Sequence, residues 1–310
     1  MVSASTISEA ARLLREGGLV AFPTETVYGL GADATNDRAV ARIFAAKLRP
    51  QINPLIAHVA AEDEAFRLGR FSDGAKRLAR AFWPGPLTVV VERSASCPIS
   101  ELCSAGLPSI ALRVPAHPVA LALLKETGKP VAAPSANRSG RISPTTADHV
   151  RHSLGSAVDL VIDGGPSAVG VESTVVQFDG GEVRLLRPGG IARHDIEAVL
   201  GQRLASRKAG DSLHSPGLLD SHYAPHAALR LNVGRPADGE AYLGFGEHAA
   251  GPFNLSRSGD LVEAAANLFR ILHEIDALHP AGIAVAPIPE NGLGEAINDR
   301  LRRAAAPRPA

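Results

Sequence analysis

The chain has 310 residues, enough for one large domain or two ordinary ones, and its 32 Lys and Arg balance 32 Asp and Glu. That neutrality removes any overall electrostatic pull toward nucleic acid or anionic membrane, and aromatics at only 4 % argue against base-stacking platforms. Two cysteines, Cys97 and Cys103, with no Cys-x-x-Cys or Cys/His pattern around them, argue against a disulfide framework or a zinc site. No apolar run approaches the roughly 20 residues of a membrane helix, and Met1-Val-Ser-Ala-Ser-Thr6 lacks the basic and apolar regions of a signal peptide. A soluble, cytoplasmic protein is expected.

Ile7 to Glu16 reads as an amphipathic helix with Ile7, Ala10, Ala11 and Leu14 on one face, ended by Gly17-Gly18. Strand-like runs follow at Leu19–Phe22, Leu55–Val59, Leu87–Val91, Ser109–Val114, Val131–Ala133, Leu160–Asp163, Ser173–Phe178 and Val183–Leu186. Between them lie helical patterns at Asp37–Lys47, Asp73–Phe82, Pro118–Thr127 and Thr146–Leu154. Alternation of this kind predicts an α/β sheet domain. Asp179-Gly-Gly181 joins the last two strands as a hairpin, so the sheet is expected to be mixed. Residues 204–226 break the pattern and read as a linker, which leaves a first domain over 1–203. Beyond it, strands at Ala228–Val233, Glu240–Phe245 and Gly282–Pro287 alternate with two helices, one over Gly294–Ala304. Asp260, with Glu263 three positions on, reads as the capping box of the other. Residues 227–310 thus form a second, smaller α/β domain, near the lower size limit for an independent core and expected to lean on its neighbour.

The chemistry concentrates at the ends of these strands. Gly18-Leu-Val-Ala-Phe22 opens onto hydroxyls, a carboxylate and a Gly29-Leu-Gly31 segment read as a flexible turn. Lys47 and Arg49 follow the next helix, and the strand after them delivers His58, read as lying on the face opposite Ile56. Fixed cations and small polar donors converging at strand ends suit a phosphate or a carboxylate. Neither the dinucleotide fingerprint nor a Walker A loop is present, so a nucleotide would need another cradle. Ala133-Pro-Ser-Ala-Asn-Arg-Ser-Gly140 with Ile142-Ser-Pro-Thr145 offers one; an ordinary loop capping the next helix explains it equally well. Strict alternation puts Ser109, Ala111 and Arg113 on one face, where Arg113 requires either an acidic partner or an anionic ligand. His222 and His226 have metal-ligand spacing, but Tyr-Ala-Pro between them disfavours a helix, and no metal site built from protein side chains is expected.

Taken together, Phe22-Pro-Thr-Glu-Thr-Val-Tyr-Gly-Leu-Gly31, Lys47-x-Arg-Pro50, Pro54-Leu-x-x-His-Val59, Trp83-Pro-Gly-Pro-Leu-Thr88, Arg113-Val-Pro115, Ala133-Pro-Ser-Ala-Asn-x-Ser-Gly140, Glu172-Ser-Thr174, Arg187-Pro-Gly189, Ser215-Pro-Gly217 and His222-Tyr-Ala-Pro225 resemble the threonylcarbamoyl-AMP synthase family in its long form. The resemblance covers nearly the whole chain. Leu48 stands where the family usually has glycine between Lys47 and Arg49, and Leu218-Leu219 where Met-Lys or Met-Arg is common. The implied fold is a YrdC-like twisted mixed sheet with flanking helices, followed by a smaller Rossmann-like α/β domain.

The implied reaction joins L-threonine, bicarbonate or carbon dioxide, and ATP into L-threonylcarbamoyladenylate and pyrophosphate. Magnesium enters with ATP, and a separate transferase complex then modifies the adenosine beside the anticodon of tRNA. Direct tRNA contact is expected to be weak at most. Carried over residue by residue, the resemblance sets Thr26, His58, Arg113, Ala133 and Ser173 around threonine, with Arg113 as a bidentate fork on its carboxylate. It sets Arg49, Asn53, Ser109, Ser135, Asn137, Ser143, Arg187 and Tyr223 around ATP, with Lys47 and Arg49 offsetting charge at the reacting phosphates. Residues 211–226 are expected to fold across the pocket mouth as a lid. The other class of function open to these residues is an RNA-binding module, with Lys47, Arg49, Ser135 and Asn137 as a surface for duplex phosphates. A carbamoyl-adenylate step in hydrogenase maturation is disfavoured, because no acylphosphatase-like or zinc-finger segment is present.

Overall fold

The computed structural model describes residues 2–50, 53–179, 181–206, 221–249 and 251–307. The first unit runs through α1 (Ala4–Arg15), β1 (Val20–Phe22), β2 (Gly29–Asp33), α2 (Asp37–Lys47), β3 (Ile56–His58), α3 (Glu62–Leu68), β4 (Gly69–Arg70) and α4 (Asp73–Phe82). It continues with β5 (Leu87–Arg93), β6 (Ser109–Arg113), α5 (Pro118–Thr127), β7 (Val131–Ala132), α6 (Ala147–Leu154), β8 (Leu160–Val161), β9 (Thr174–Asp179), β10 (Glu182–Arg187), α7 (Arg193–Leu200) and β11 (Ala205–Ser206). The second unit comprises β12 (Leu229–Arg230), β13 (Glu240–Leu243), α8 (Leu261–Asp276), β14 (Gly282–Val285) and α9 (Gly294–Ala305).

Among the described residues the large sheet has the order β11-β10-β9-β5-β6-β3-β7-β2-β1-β8, with β4 on β5. It is mixed: β3 runs parallel to β6 and β5 to β9, whereas β9–β10 is the expected antiparallel hairpin. Ala10, Ala11 and Leu14 of α1 are fully buried against Ala120 and Leu123 of α5, as the amphipathic pattern requires. β11 pairs with β10, so the first sheet extends into the span read as linker.

The flexible turn expected at Gly29-Leu-Gly31 is instead strand β2, buried throughout and paired with β1 and β7. Glycine serves close packing there. A Cβ on Gly31 would stand 2.8 Å from the Phe22 ring and 3.0 Å from Val131.

The smaller unit is a parallel sheet, β12-β14-β13, with α8 and α9. Asp260 caps α8 by accepting from the amides of Val262 and Glu263 at 2.6 and 3.1 Å. The capping box is not closed as expected. Ser256 Oγ intervenes, accepting from Asp260 N at 2.9 Å and donating to Glu263 at 2.5 Å. This unit does lean on its neighbour: Val27, Ile142 and Val171 of the first unit belong to its apolar core with Leu268, Phe269 and Leu272. Gly170 passes so close to α8 that a Cβ would lie 2.5 Å from Ala265 O.

Candidate active site

Parallel pairing of β3 with β6 registers His58 against Arg113 at the carboxyl ends of both strands, where open α/β sheets bind ligands. Ala133 is tied in by its amide to Ile56 O at 2.9 Å, and the segment after β1 lays Thr24–Val27 over the same end. From the far side Ser173 precedes β9 and Arg187 ends β10, held together by Arg187 Nη2 donating to Ser173 O at 3.0 Å and Oγ at 3.1 Å. Glycine makes that approach possible: a Cβ on Gly189 would lie 2.3 Å from Glu172 O.

These segments meet around a small cavity lined by Thr26, Arg49, His58, Arg113, Ala133, Ser135, Ser173, Arg187 and Tyr223 of the expected set. Ile56 and His58 both line it, as residues two apart on a strand must; the opposite-face assignment of His58 was a miscount.

Four expected residues stand behind the wall. Lys47 is 1 % exposed and its Nζ donates to Ser135 O at 2.5 Å and to Asn137 O, fastening the cradle loop from below. Asn137 in turn donates to the carbonyls of Arg138 and Arg141 at 3.0 and 2.8 Å. Ser143 Oγ donates to Glu172 at 2.6 Å, and Asn53 is buried with neither side-chain polar atom partnered. Ser109 lies elsewhere: it shares the Arg113 face of β6, but four residues back, roughly 13 Å along the strand, lining a separate groove with Gln177 and Arg70. With Lys47, Arg49 and Asn137 all buried, the duplex-RNA surface proposed from the sequence is not a surface.

Three carboxylate contacts organise the cations. Arg113 Nη2 meets Glu25 at 2.6 Å and its Nε donates to Gly85 O at 3.2 Å. Among the described residues no partner meets Nη1, so a bidentate grip on a ligand carboxylate requires Glu25 to yield. Burial pulls the Glu25 carboxyl upward, but Arg113 outweighs it and holds it below the usual range. Glu172 behaves alike: burial raises it, while Arg300 and Arg187 hold it ionised. Arg300 Nε reaches Glu172 at 2.9 Å from α9, and its Nη1 reaches Asp299 at 3.0 Å.

Among the described residues Lys47 and Arg49 meet no carboxylate. Arg49 donates to the carbonyls of Asn53 and Pro54 at 3.3 and 3.0 Å, and burial lowers it to about 10. Burial, then Arg49, also lowers Lys47 well below its ordinary value. His58 is pushed down to about 3 by burial and by Arg113, so it is neutral, with a buried Nδ1 that has no partner.

Glu25, Glu172 and Arg300 carried no assigned role in the sequence, although two of them stand inside quoted motifs; only pairing distances single them out. His222 is buried and lines the cavity, whereas His226 turns outward to Asp276 at 2.8 Å, so the pair shares no ligand direction. Ser215-Pro-Gly217, Leu218-Leu219 and most of the expected lid lie outside the described residues. Tyr223, at its end, is buried at φ 63° between Phe269 and the Arg300 guanidinium, 5.5 Å from its ring.

Fold and site together define a two-unit α/β protein whose YrdC-like half carries a buried cationic cavity. Residues 12–189 match a family model described as "Telomere recombination", and residues 191–306 match one described as "Threonylcarbamoyl-AMP synthase, C-terminal domain". The chain is 42 % identical to the threonylcarbamoyl-AMP synthase of Bacillus subtilis over 96 % of its own length and 92 % of that protein's. It is 41 % identical to that of Pyrococcus abyssi, covering 95 % and 92 %. The crystal structure of P. abyssi Sua5 complexed with L-threonine superposes with a TM-score of 0.88 at 39 % identity, covering 96 % of this chain and 94 % of that one. This chain belongs to the threonylcarbamoyl-AMP synthase family.

Proposed function

We propose that the chain condenses L-threonine, bicarbonate or carbon dioxide, and ATP into L-threonylcarbamoyl-AMP and pyrophosphate, for the modification of tRNA beside the anticodon. One observation carries this reading: Arg49 lines the cavity and, among the described residues, meets no carboxylate, beside an Arg113 whose Nη1 is also without a partner there. A buried excess of positive charge is costly unless an anion shares the space.

Threonine's amine takes up carbon dioxide as a carbamate. A carbamate oxygen forms the new bond to the α-phosphorus while the bond to pyrophosphate breaks. The protein supplies alignment and charge rather than a covalent nucleophile. Arg113 takes threonine's carboxylate, the neutral His58 and the Thr26 hydroxyl take its polar groups, and Arg49 and Arg187 face the phosphates. Lys47 acts from behind, shaping the Ser135–Asn137 loop. Magnesium would arrive on the nucleotide's own oxygens, since Glu25 and Glu172 are both engaged by arginines and no group of three metal-ligating side chains occurs among the described residues. A separate transferase completes the modification, and among the described residues no helix is long and apolar enough to cross a membrane.

The test is pyrophosphate release by the purified chain. It is expected only with ATP, threonine and bicarbonate together, and serine should be at least about tenfold poorer because one buried methyl is missing. Release without threonine, or equal turnover of serine, would sink the assignment.

A further inference from the structure

Arg300 is the largest fully buried side chain among the described residues, yet it comes from α9 of the smaller unit and reaches into the wall of the first. Its Nε bonds Glu172 Oε2 at 2.9 Å, while the other oxygen of that carboxylate accepts from Ser143 at 2.6 Å. Its Nη1 holds Pro188 O at 2.6 Å, in the turn that follows Arg187. The guanidinium also lies over the ring of Tyr223, which lines the cavity. Nη2 is buried without a partner among the described residues.

A merely adhesive role does not account for this arrangement. Apolar residues of similar volume join two units as well as a buried ion pair does, or better. The joint already has a shared apolar core, and the half-exposed Arg193–Glu295 pair at 2.5 Å links α7 to α9. Besides its α9 neighbour Asp299, Arg300 touches a set of groups around the nucleotide side of the cavity: Ser143 through Glu172, Arg187 through Pro188, and Tyr223 directly.

We propose that Arg300 is a positioning residue through which the smaller unit sets the nucleotide-binding wall, acting on Ser143 by way of Glu172 and on Tyr223 by its guanidinium face. The inference rests on the functional reading above. It also gives the smaller unit a specific task in the reaction.

The experiment uses the full chain carrying Arg300→Met, with Glu295→Gln as the control that breaks a neighbouring inter-unit pair without touching Glu172. ATP and threonine are titrated separately by calorimetry, and melting is recorded for each variant. Arg300→Met is expected to weaken ATP at least roughly tenfold, the scale of a lost charge-assisted contact, with threonine changed by less than about threefold. Glu295→Gln should leave both nearly unaltered.

Without Arg300, Glu172 keeps Arg187, Lys47, Tyr223 and Ser143 near it but loses the cation that contributes most to holding it ionised, so it protonates at higher pH. ATP affinity of Arg300→Met should therefore decline on the acid side sooner than that of the unaltered chain. Arg300→Met/Glu172→Gln, whose amide oxygen can still accept from Ser143 without a buried charge, should recover part of the loss, and it serves if the single variant does not fold.

A double variant no better than a folded single one overturns the relay. So does equal weakening of both ligands in step with melting for Arg300→Met and Glu295→Gln alike. If the unaltered chain binds ATP and Arg300→Met binds it equally well, this inference alone fails. If the unaltered chain binds no ATP, the functional reading fails and takes the inference with it.

Discussion

On the proposed function, individual cations divide the cavity between two anions. Arg113 lies in register with His58 and meets Glu25, whereas Arg49 sits beside Arg187 and Tyr223. Arg113→Ala is therefore expected to cost threonine about 1.5–3 kcal/mol of binding and ATP much less, with Arg49→Ala doing the reverse. Calorimetric titration of each variant with each ligand separates them, and matched losses of both ligands in both variants would refute the division. The role of Arg113 was legible as a question: its strand position demanded either a partner or a ligand. The structure supplies the acidic partner: Glu25 takes Nη2, while Nη1 has no partner among the described residues. Sequence alone could not choose Glu25, which lies 88 positions away and resembles any other carboxylate in a loop.

The helix α2 delivers Lys47 and Arg49 to opposite sides of one wall, and it does so by ending at Leu48 in the left-handed conformation, φ 51° and ψ 44°. Asn36 starts the helix by accepting from the amides of Arg38 and Ala39. The left-handed turn at the other end suits the glycine usual in the family, and Leu48 is 71 % exposed, so it gains little from burial there. Replacing it by glycine should relieve roughly 1 kcal/mol of backbone strain. Leu48→Gly is expected to unfold at higher urea concentration with turnover unchanged; a lower midpoint would mean that Leu48 makes a contact worth more than the strain. Helices with a clear 3.6-residue stripe and polar caps were readable to within a few residues, α2, α4 and α5 to the residue. β2 was not, because its glycines look like a turn until Phe22 and Val131 are seen packed where side chains would have stood.

For the molecule as a whole, neutral histidines, buried at His58 and His222 and half-buried at His273, weaken the fold on the acid side. His58 and His273 are both pushed down to about 3, chiefly by burial, then by Arg113 and His149 respectively. His273 stacks on His149 at 3.8 Å across the joint between the units and faces Ser143 O at 3.1 Å. As pH falls below 6.5 the unfolded chain binds protons that these folded imidazoles refuse, so stability is full above 6.5 and declines toward 3. Each histidine should cost about 1 kcal/mol by pH 5.5. The lowered carboxyls Glu25 and Glu172 add loss of the same sign, but only below about 4.5. Urea titrations at pH 7.5 and 5.5 test this: the midpoint should drop at the lower pH, and His58→Asn/His273→Gln should flatten the drop. An unchanged slope in that variant would place the acid sensitivity elsewhere.

Local signals carried much of this protein. Alternating apolar runs, helical stripes and turn residues act over a few positions, so the α/β class, the two units and most of the strand ends bearing polar groups could be read directly, and the ordered motifs pointed to the family. Tertiary structure decided what depends on distant chain segments meeting. It set Lys47 behind the wall instead of in the cavity, removed Ser109 to another groove, and paired Glu25 with Arg113. It also joined Glu172 to Arg300 across 128 positions and two units. Burial and charge compensation are properties of the packed three-dimensional neighbourhood, and no periodicity along the chain encodes which cation is left without a counter-charge.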